Sequence, residues 1–436
     1  MSDIATLEHS LLGEIAAQEA ALASVPPRLR AVRQSAIRRF TETGLPTRKD
    51  EAWRWTDLSS FHQPLTGAGA EPSVDPDAMD GPFMRLNAYR LTFVNGVFRI
   101  DLSDLPAGVR AGSLRTALSS DPALAERLGD NANAPFLSLN TALLNDGALI
   151  NVDGNTRLQR PLHLIFVNTG SSHIRNLVVL EAHTEITLLE SHYGPAGSEY
   201  FVNQASDVIL GEGARLSHYR DQAESQNALH FHYLNARLAA QSNYNGFTLT
   251  RGARLSRNEA QIEISGSDAQ CSINGVSMLG GAQISDTTCT MEHRAPGSRS
   301  NQIFRSVLDD RSQGIFQGLI RVAKPAQRTE AQQQIKALLL SPRAVQNAKP
   351  ELEILADDVK CAHGASVGQL DQTAMFYLRA RGINEAQARA LLIGAFLDDA
   401  VTQIQDGDKD GVGKIQQAVR ATIDAWLVQQ LVVENV

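Results

Sequence analysis

Cys361 and His363 are the residues of this sequence best placed to do chemistry. They follow the extended-looking run Leu352-Glu-Ile-Leu-Ala-Asp-Asp-Val-Lys360 and precede Gly364. In a strand, residues i and i+2 lie on one face roughly 7 Å apart, so a thiolate and an imidazole could approach one metal centre. That mix of sulfur and nitrogen suits zinc or iron–sulfur chemistry. Two ligands are too few for a closed structural zinc site, which normally takes four. Either Cys289 and His293, spaced Cys-x3-His, come near the pair, or a second chain completes the set. Spacing alone leaves a buried structural cysteine beside a turn histidine equally open.

Other motifs fall short of the chemistry they suggest. Asp406-Gly-Asp-Lys-Asp-Gly411 opens like an EF-hand loop, but Gly413 stands at the eighth position and Gln417 at the twelfth, where a bidentate Glu is needed. An acidic turn between helices is expected there instead. Gly413-Lys414 lacks the Ser or Thr of a phosphate-binding loop, because Ile415 follows, and Asp408 occupies the place of its first Gly. The chain therefore carries no P-loop, and it has no His-Glu-x-x-His zinc helix either. His230 and His232 alternate in an expected strand, which predicts two polar residues on one solvated sheet face.

Composition narrows the partners. A net charge of −8 and the lack of any basic run argue against a nucleic-acid binder, which needs a basic face to displace counterions. No stretch approaches the roughly 18–20 apolar residues that would cross a bilayer. The acidic start Met1-Ser2-Asp3-Ile4 is unlike a signal peptide, so a cytoplasmic, reducing location is expected. Three cysteines in 436 residues do not make a disulfide framework.

The elements that must position the pair fall into three regions. Residues 1–82 read as an N-terminal helical domain and linker. Leu7, Leu11, Leu12, Ile15 and Leu22 recur at helical spacing, and Leu29, Val32, Ile37 and Phe40 continue after Pro26-Pro27. Gln63–Pro82 is dense in Pro, Gly and Asp, as a boundary loop would be. Residues 83–350 hold many short β-rich runs, among them Leu177–Leu180, Val208–Leu210 and Ile262–Ile264. Turn signals such as Gly211-Glu-Gly213, Arg251-Gly252 and Gly280-Gly281 separate them. The region is too long for one sandwich and lacks helical crossovers, which favours a β-solenoid with a helical interruption at Ser113–Leu144. Residues 351–436 add the last strands and then helices. Asp371 is an expected N-cap, Asn384 with Gln387 resembles a capping box, and a last helix aligns Ile415, Val419, Ile423, Trp426, Leu427 and Leu431.

The run Leu352–Asp371 and its continuation Phe376-Tyr-Leu-Arg-Ala-Arg-Gly-Ile383 resemble the SufB/SufD family of iron–sulfur cluster assembly proteins. Pro296-Gly-Ser, Arg305-Ser-Val-Leu-Asp-Asp310, Gly314-Ile-Phe-Gln-Gly318, Ala326-Gln-Arg-Thr329 and Leu338-Leu-Leu-Ser341 match in the same order. The resemblance is dense over residues 290–400 and looser before them. Leu45-Pro46, Glu51-Ala-Trp-Arg-Trp-Thr56 and the Cys-Ala-His-Gly form are more similar to the SufD branch than to the SufB branch, although Ser366 replaces a usual Thr.

The resemblance implies a mainly β protein, a right-handed parallel β-helix flanked by N-terminal and C-terminal α-helical domains. It implies a non-enzymatic scaffold in a complex with SufB and the ATPase SufC, the latter docking on the C-terminal helices. His363 would then stand at the interface with SufB, where a transient iron–sulfur cluster or iron is held, with Cys361 as its neighbour. Reduced flavin in the complex and a homodimer in isolation are further expectations from the resemblance. The competing expectation is a β-helix polysaccharide-processing enzyme.

Overall fold

The computed structural model describes all residues except 1–2, 20–21, 24, 61–78, 406–412 and 434–436. Most of the expected boundary loop and the acidic turn at Asp406–Gly411 lie outside the described residues, as does the side chain of Leu431.

Short β-rich runs bounded by turns give a chain that cannot bury its apolar faces within one hairpin. It buries them instead on the next copy of itself. Between Tyr89 and Gly368 it winds into a parallel β-helix of about 8 turns, most turns adding one strand to each of two sheets. The first sheet holds β1 (Tyr89–Val94), β2 (Val97–Asp104), β5 (Leu162–Val167), β7 (Glu185–Tyr193), β9 (Arg215–Ala223) and β11 (Asn243–Thr250). It continues through β13 (Gln270–Leu279), β15 (Arg299–Leu308), β17 (Thr329–Leu339) and β19 (Val359–Gly368). The second holds β3 (Arg110–Ser113), β4 (Ala148–Val152), β6 (Ser172–Leu180), β8 (Phe201–Leu210) and β10 (Leu229–Leu238). It ends with β12 (Leu255–Ile264), β14 (Ile284–His293), β16 (Gln313–Val322) and β18 (Val345–Ile354).

In-register stacking turns single residues into columns. Val178, Val208, Ala236, Ile262, Met291, Ile320 and Leu352 lie one above another from β6 to β18. All but Leu352 at the end are fully buried. Each buried Val, Ile or Met of this column contributes about 1.5–3 kcal/mol. Turn length is not constant: Leu229 pairs with Leu255 in one turn and Gln313 with Val345 in another. This variation hides any strict sequence period. At Gly213 (φ 65°) and Gly281 (φ 58°) the turns use the left-handed region that glycine enters without a Cβ penalty.

Helices cover the outer face of each sheet. α1 (Asp3–Glu19) and α2 (Pro27–Thr43) bring Leu7, Leu11, Ile15, Ile37 and Phe40 into one core with Phe201, Leu229, Phe231 and Leu255 of the second sheet. Pro27 opens α2, and Gly44 closes it, donating its N–H to the Phe40 carbonyl at 2.8 Å. The expected interruption appears as α3 (Leu114–Ser120), a short 3-10 helix and α4 (Pro135–Ala142). On the first sheet lie α5 (Gln372–Arg379), α6 (Glu385–Val401) and α7 (Lys414–Val433). Asp371 caps α5 by accepting from Thr373 and Ala374, and Asn384 caps α6 by accepting from Gln387. Ile393, Leu397, Val419 and Ile423 then pack on Phe247, Val276, Met278 and Val307.

Three buried arginines fasten these flanks to the solenoid. Arg175 on β6 pairs with Asp207 at 2.7 Å and donates to the Gly129 carbonyl and Thr141 of the interruption. Arg257 on β12 pairs with Asp286 and Glu259, lies 3.8 Å over the Trp53 ring and donates to the Ala52 carbonyl. Arg305 on β15 reaches Asp399 at the end of α6. Glu51-Ala-Trp-Arg-Trp-Thr56 is thus a docking segment, with Thr56 donating to Asp286 and Lys349 pairing with Glu51 at 2.9 Å.

Candidate functional site

β19 is the outer strand of the first sheet and β18 the outer strand of the second, so among the described residues one end of the stack is open. On β19, Cys361 lies opposite Ala331 and His363 opposite Gln333 of β17. Ala331 and Gln333 are buried because another turn covers them; among the described residues their partners have no turn above. The pair therefore shares the inward face, as the i, i+2 spacing requires, but at the rim of the solenoid. Cys361 is half-buried against the interior core, and His363 is exposed. Burial pushes the Cys361 thiol up, against a smaller opposing effect of its hydrogen bond with the Ala331 backbone. Val345, Ile354, Leu355 and Val367 leave apolar surface exposed on the same end.

Cys289 and His293 do not join them. Both sit on β14, two strands below the outer strand β18, or about 10 Å along the stack at the usual strand spacing. Each ring nitrogen of His293 is engaged by a hydroxyl, Ser298 at 2.7 Å and Ser300 at 2.8 Å. Cys289 is buried, which pushes its thiol up to about 12. Gly364-Ala-Ser-Val-Gly368 has the spacing of a nucleophile elbow, yet it runs along β19 and not through the strand-to-helix turn that the elbow requires.

A second constellation lies inside the solenoid, and here the sequence expectation is corrected. His230 and His232 do not face solvent; they are buried within β10. The alternation argument assumed a sheet with one wet face, whereas β10 points one face into the solenoid and the other under the N-terminal helices. Around them, Glu190 accepts from His218 (2.9 Å), Gln204 (3.1 Å) and Arg220 (3.3 Å) and meets His192 at 3.3 Å. Arg220 donates onward to His232 at 2.9 Å, Asn258 at 3.1 Å and His230 at 3.3 Å. Burial alone would raise the Glu190 carboxyl, but His218, His192 and Arg220 together hold it well below the usual range. A cavity of about 60 Å³ adjoins this network, with His218, Arg220, His232, Tyr244 and Cys289 among its walls.

Sequence reasoning missed this cluster. The visible signal was polar residues at period two in neighbouring runs: Glu190 and His192; His218, Arg220 and Gln222; His230 and His232. These acids and bases are enclosed, unlike the open groove that a polysaccharide-processing enzyme would present. No helix among the described residues is long and apolar enough to cross a membrane.

Comparison with known proteins covers most of the chain, from the N-terminal helices through the solenoid into α6. The family described as "SUF system FeS cluster assembly, SufBD core domain" matches residues 165–396, and the "SufBD protein N-terminal region" matches residues 14–164. An iron–sulfur cluster assembly SufBD family protein of Synechocystis is 35% identical over 85% of this chain and 86% of its own length. The iron–sulfur cluster assembly protein SufD of Escherichia coli is 29% identical over 86% of this chain and 88% of its own. The chloroplastic protein ABCI7 of Arabidopsis thaliana is 29% identical over 86% and 82% respectively.

Proposed function

This chain belongs to the SufBD family of iron–sulfur cluster assembly proteins, and from that premise we propose that it is a non-catalytic scaffold subunit of a cytoplasmic SufBCD complex. The observation that carries the reading is the open end of the solenoid, where Cys361 and His363 share one face of an outer strand paired on one side only. An outer strand offers unpaired N–H and C=O groups, and natural proteins protect such edges or use them to bind another chain. Exposed Val345, Ile354, Leu355 and Val367 favour the second use. SufB would add its strands here and supply the remaining ligands, so that iron or a nascent cluster is held between the chains as cargo. Cys361 and His363 give this side of that ligand set one sulfur and one nitrogen.

The ATPase partner SufC would dock on the C-terminal helices. Phe376 and Tyr377 on α5 are 74% and 56% exposed, and Leu391 and Val428 flank a shallow apolar groove between α6 and α7. Because Arg305 ties α6 to β15, motion imposed on these helices would reach the sheet that ends in β19. The test is reconstitution with SufB and SufC under anaerobic conditions, comparing the wild-type chain with His363→Ala. Iron and sulfide loading should fall sharply in the variant; unchanged loading would remove His363 from the role.

A further inference from the structure

Inside the solenoid, below the rim, His192, Glu224 and His230 converge from two sheets. β7 supplies the first, the end of β9 leads into the second, and β10 supplies the third. Each offers one donor atom, and the three atoms lie within 4.8 Å of one another. All three residues are buried.

The hydrogen-bond pattern distinguishes this trio from an ordinary buried network. Nδ1 of His192, Oε1 of Glu224 and Nδ1 of His230 have no hydrogen-bond partner. Nδ1 of His230 comes 2.8 Å from Oε2 of Glu224. Two ligands on one ion, each at about 2.1 Å, leave their donor atoms roughly 3 Å apart, so this is the separation of neighbouring ligands. The outer contacts fit as well. Glu190 meets Nε2 of His192 at 3.3 Å, and Gln222 donates to Oε2 of Glu224 at 2.9 Å. A carboxylate on the far nitrogen of a histidine is the usual way its ligating nitrogen is aimed and its tautomer fixed. The His192 ring is also held face to face with Phe166, centroids 4.9 Å apart.

We propose that His192, Glu224 and His230 form an internal site for a divalent transition-metal ion of the ferrous or zinc class, separate from the pair at the rim. Two imidazoles and one carboxylate suit these borderline ions and not the all-oxygen preference of calcium or magnesium. When the ion binds Nδ1 of His230, Nε2 takes the proton and gives up its contact with Arg220. The guanidinium keeps Glu190, His232 and Asn258. Since the site is enclosed, the ion enters as the chain folds.

The full chain is expressed in medium supplemented in turn with iron, zinc and cobalt, purified anaerobically through a mild chelator, and assayed for metal. Its rim is removed by the double substitution Cys361→Ser and His363→Ala. The rim-less chain should retain a single ion, and its cobalt form should show weak ligand-field bands without thiolate charge transfer. His192→Gln and Glu224→Gln should each lose the ion. If those two variants do not fold, the rim-less chain decides alone: no retained ion, or a thiolate charge-transfer band, overturns the proposal. Loss of cluster loading in the complex with the internal ion retained would separate this site from the function proposed for the rim.

Discussion

His363 lies directly across the last parallel ladder from Gln333, and one is exposed where the other is covered. Gln333 is buried beneath the final turn and donates to Gln302 at 2.9 Å, while His363 occupies the same column, exposed, with no further strand of the described residues above it. The column of inward side chains thus ends in an accessible imidazole.

Association through that end should be sensitive to charge. Val367, 49% exposed near the end of β19, can be changed to Asp without disturbing the buried core. Val367→Asp should leave the melting temperature of the isolated chain nearly unchanged, as surface substitutions usually do. Its retention of SufB in copurification should drop. Undiminished retention would place the interface elsewhere.

Arg257 should be the most costly of the flank-fastening residues. Removing it leaves Asp286 buried without its partner and strips the cation from the Trp53 ring. Breaking a buried pair in this way costs about 3–5 kcal/mol. Urea denaturation of Arg257→Ala should show that loss, with tryptophan emission shifting red as the 51–56 segment loosens.

Acid should destabilise the fold well before the carboxylates titrate. Burial lowers His163 and His173 to about 3, with Arg90 adding to the effect at His163, whereas the unfolded values lie near 6.5. Between those limits the unfolded chain binds protons that the native chain excludes, so stability falls as pH falls. Urea midpoints measured from pH 7.5 down to 5 should decline steadily. A flat profile would contradict the neutral, buried state of these rings.

The three thiols should separate in an alkylation experiment. Cys361 is half-buried and its thiol is pushed up, so at pH 7.5 it should react more slowly than a free cysteine and accelerate as pH rises. Cys271 and Cys289 are buried and should react only on unfolding. Mass spectrometry of peptides after timed labelling reads all three.

Much of the fold was legible before the structure. Asp371 and Asn384 named two helix starts because a side chain two or three residues before a backbone N–H satisfies it locally. Gly213 and Gly281 marked turns for the equally local reason of a positive φ. The pairing of Cys361 with His363 on one face also follows from strand geometry alone. His230 and His232 were misplaced because a strand's own alternation does not say what lies against each face.

The amino-acid sequence by itself determined the solenoid class, the helical flanks, the family and the shared strand face of Cys361 and His363, since propensity, capping and motif order act over a few neighbouring positions. Only the tertiary structure decided that β19 ends the stack, that Arg175, Arg257 and Arg305 fasten the flanks, and that His192, Glu224 and His230 meet inside. Those are relations between residues on different strands or separate elements. Turn lengths set them, and turn lengths change along the chain, so strand stacking and not sequence spacing brings the groups together.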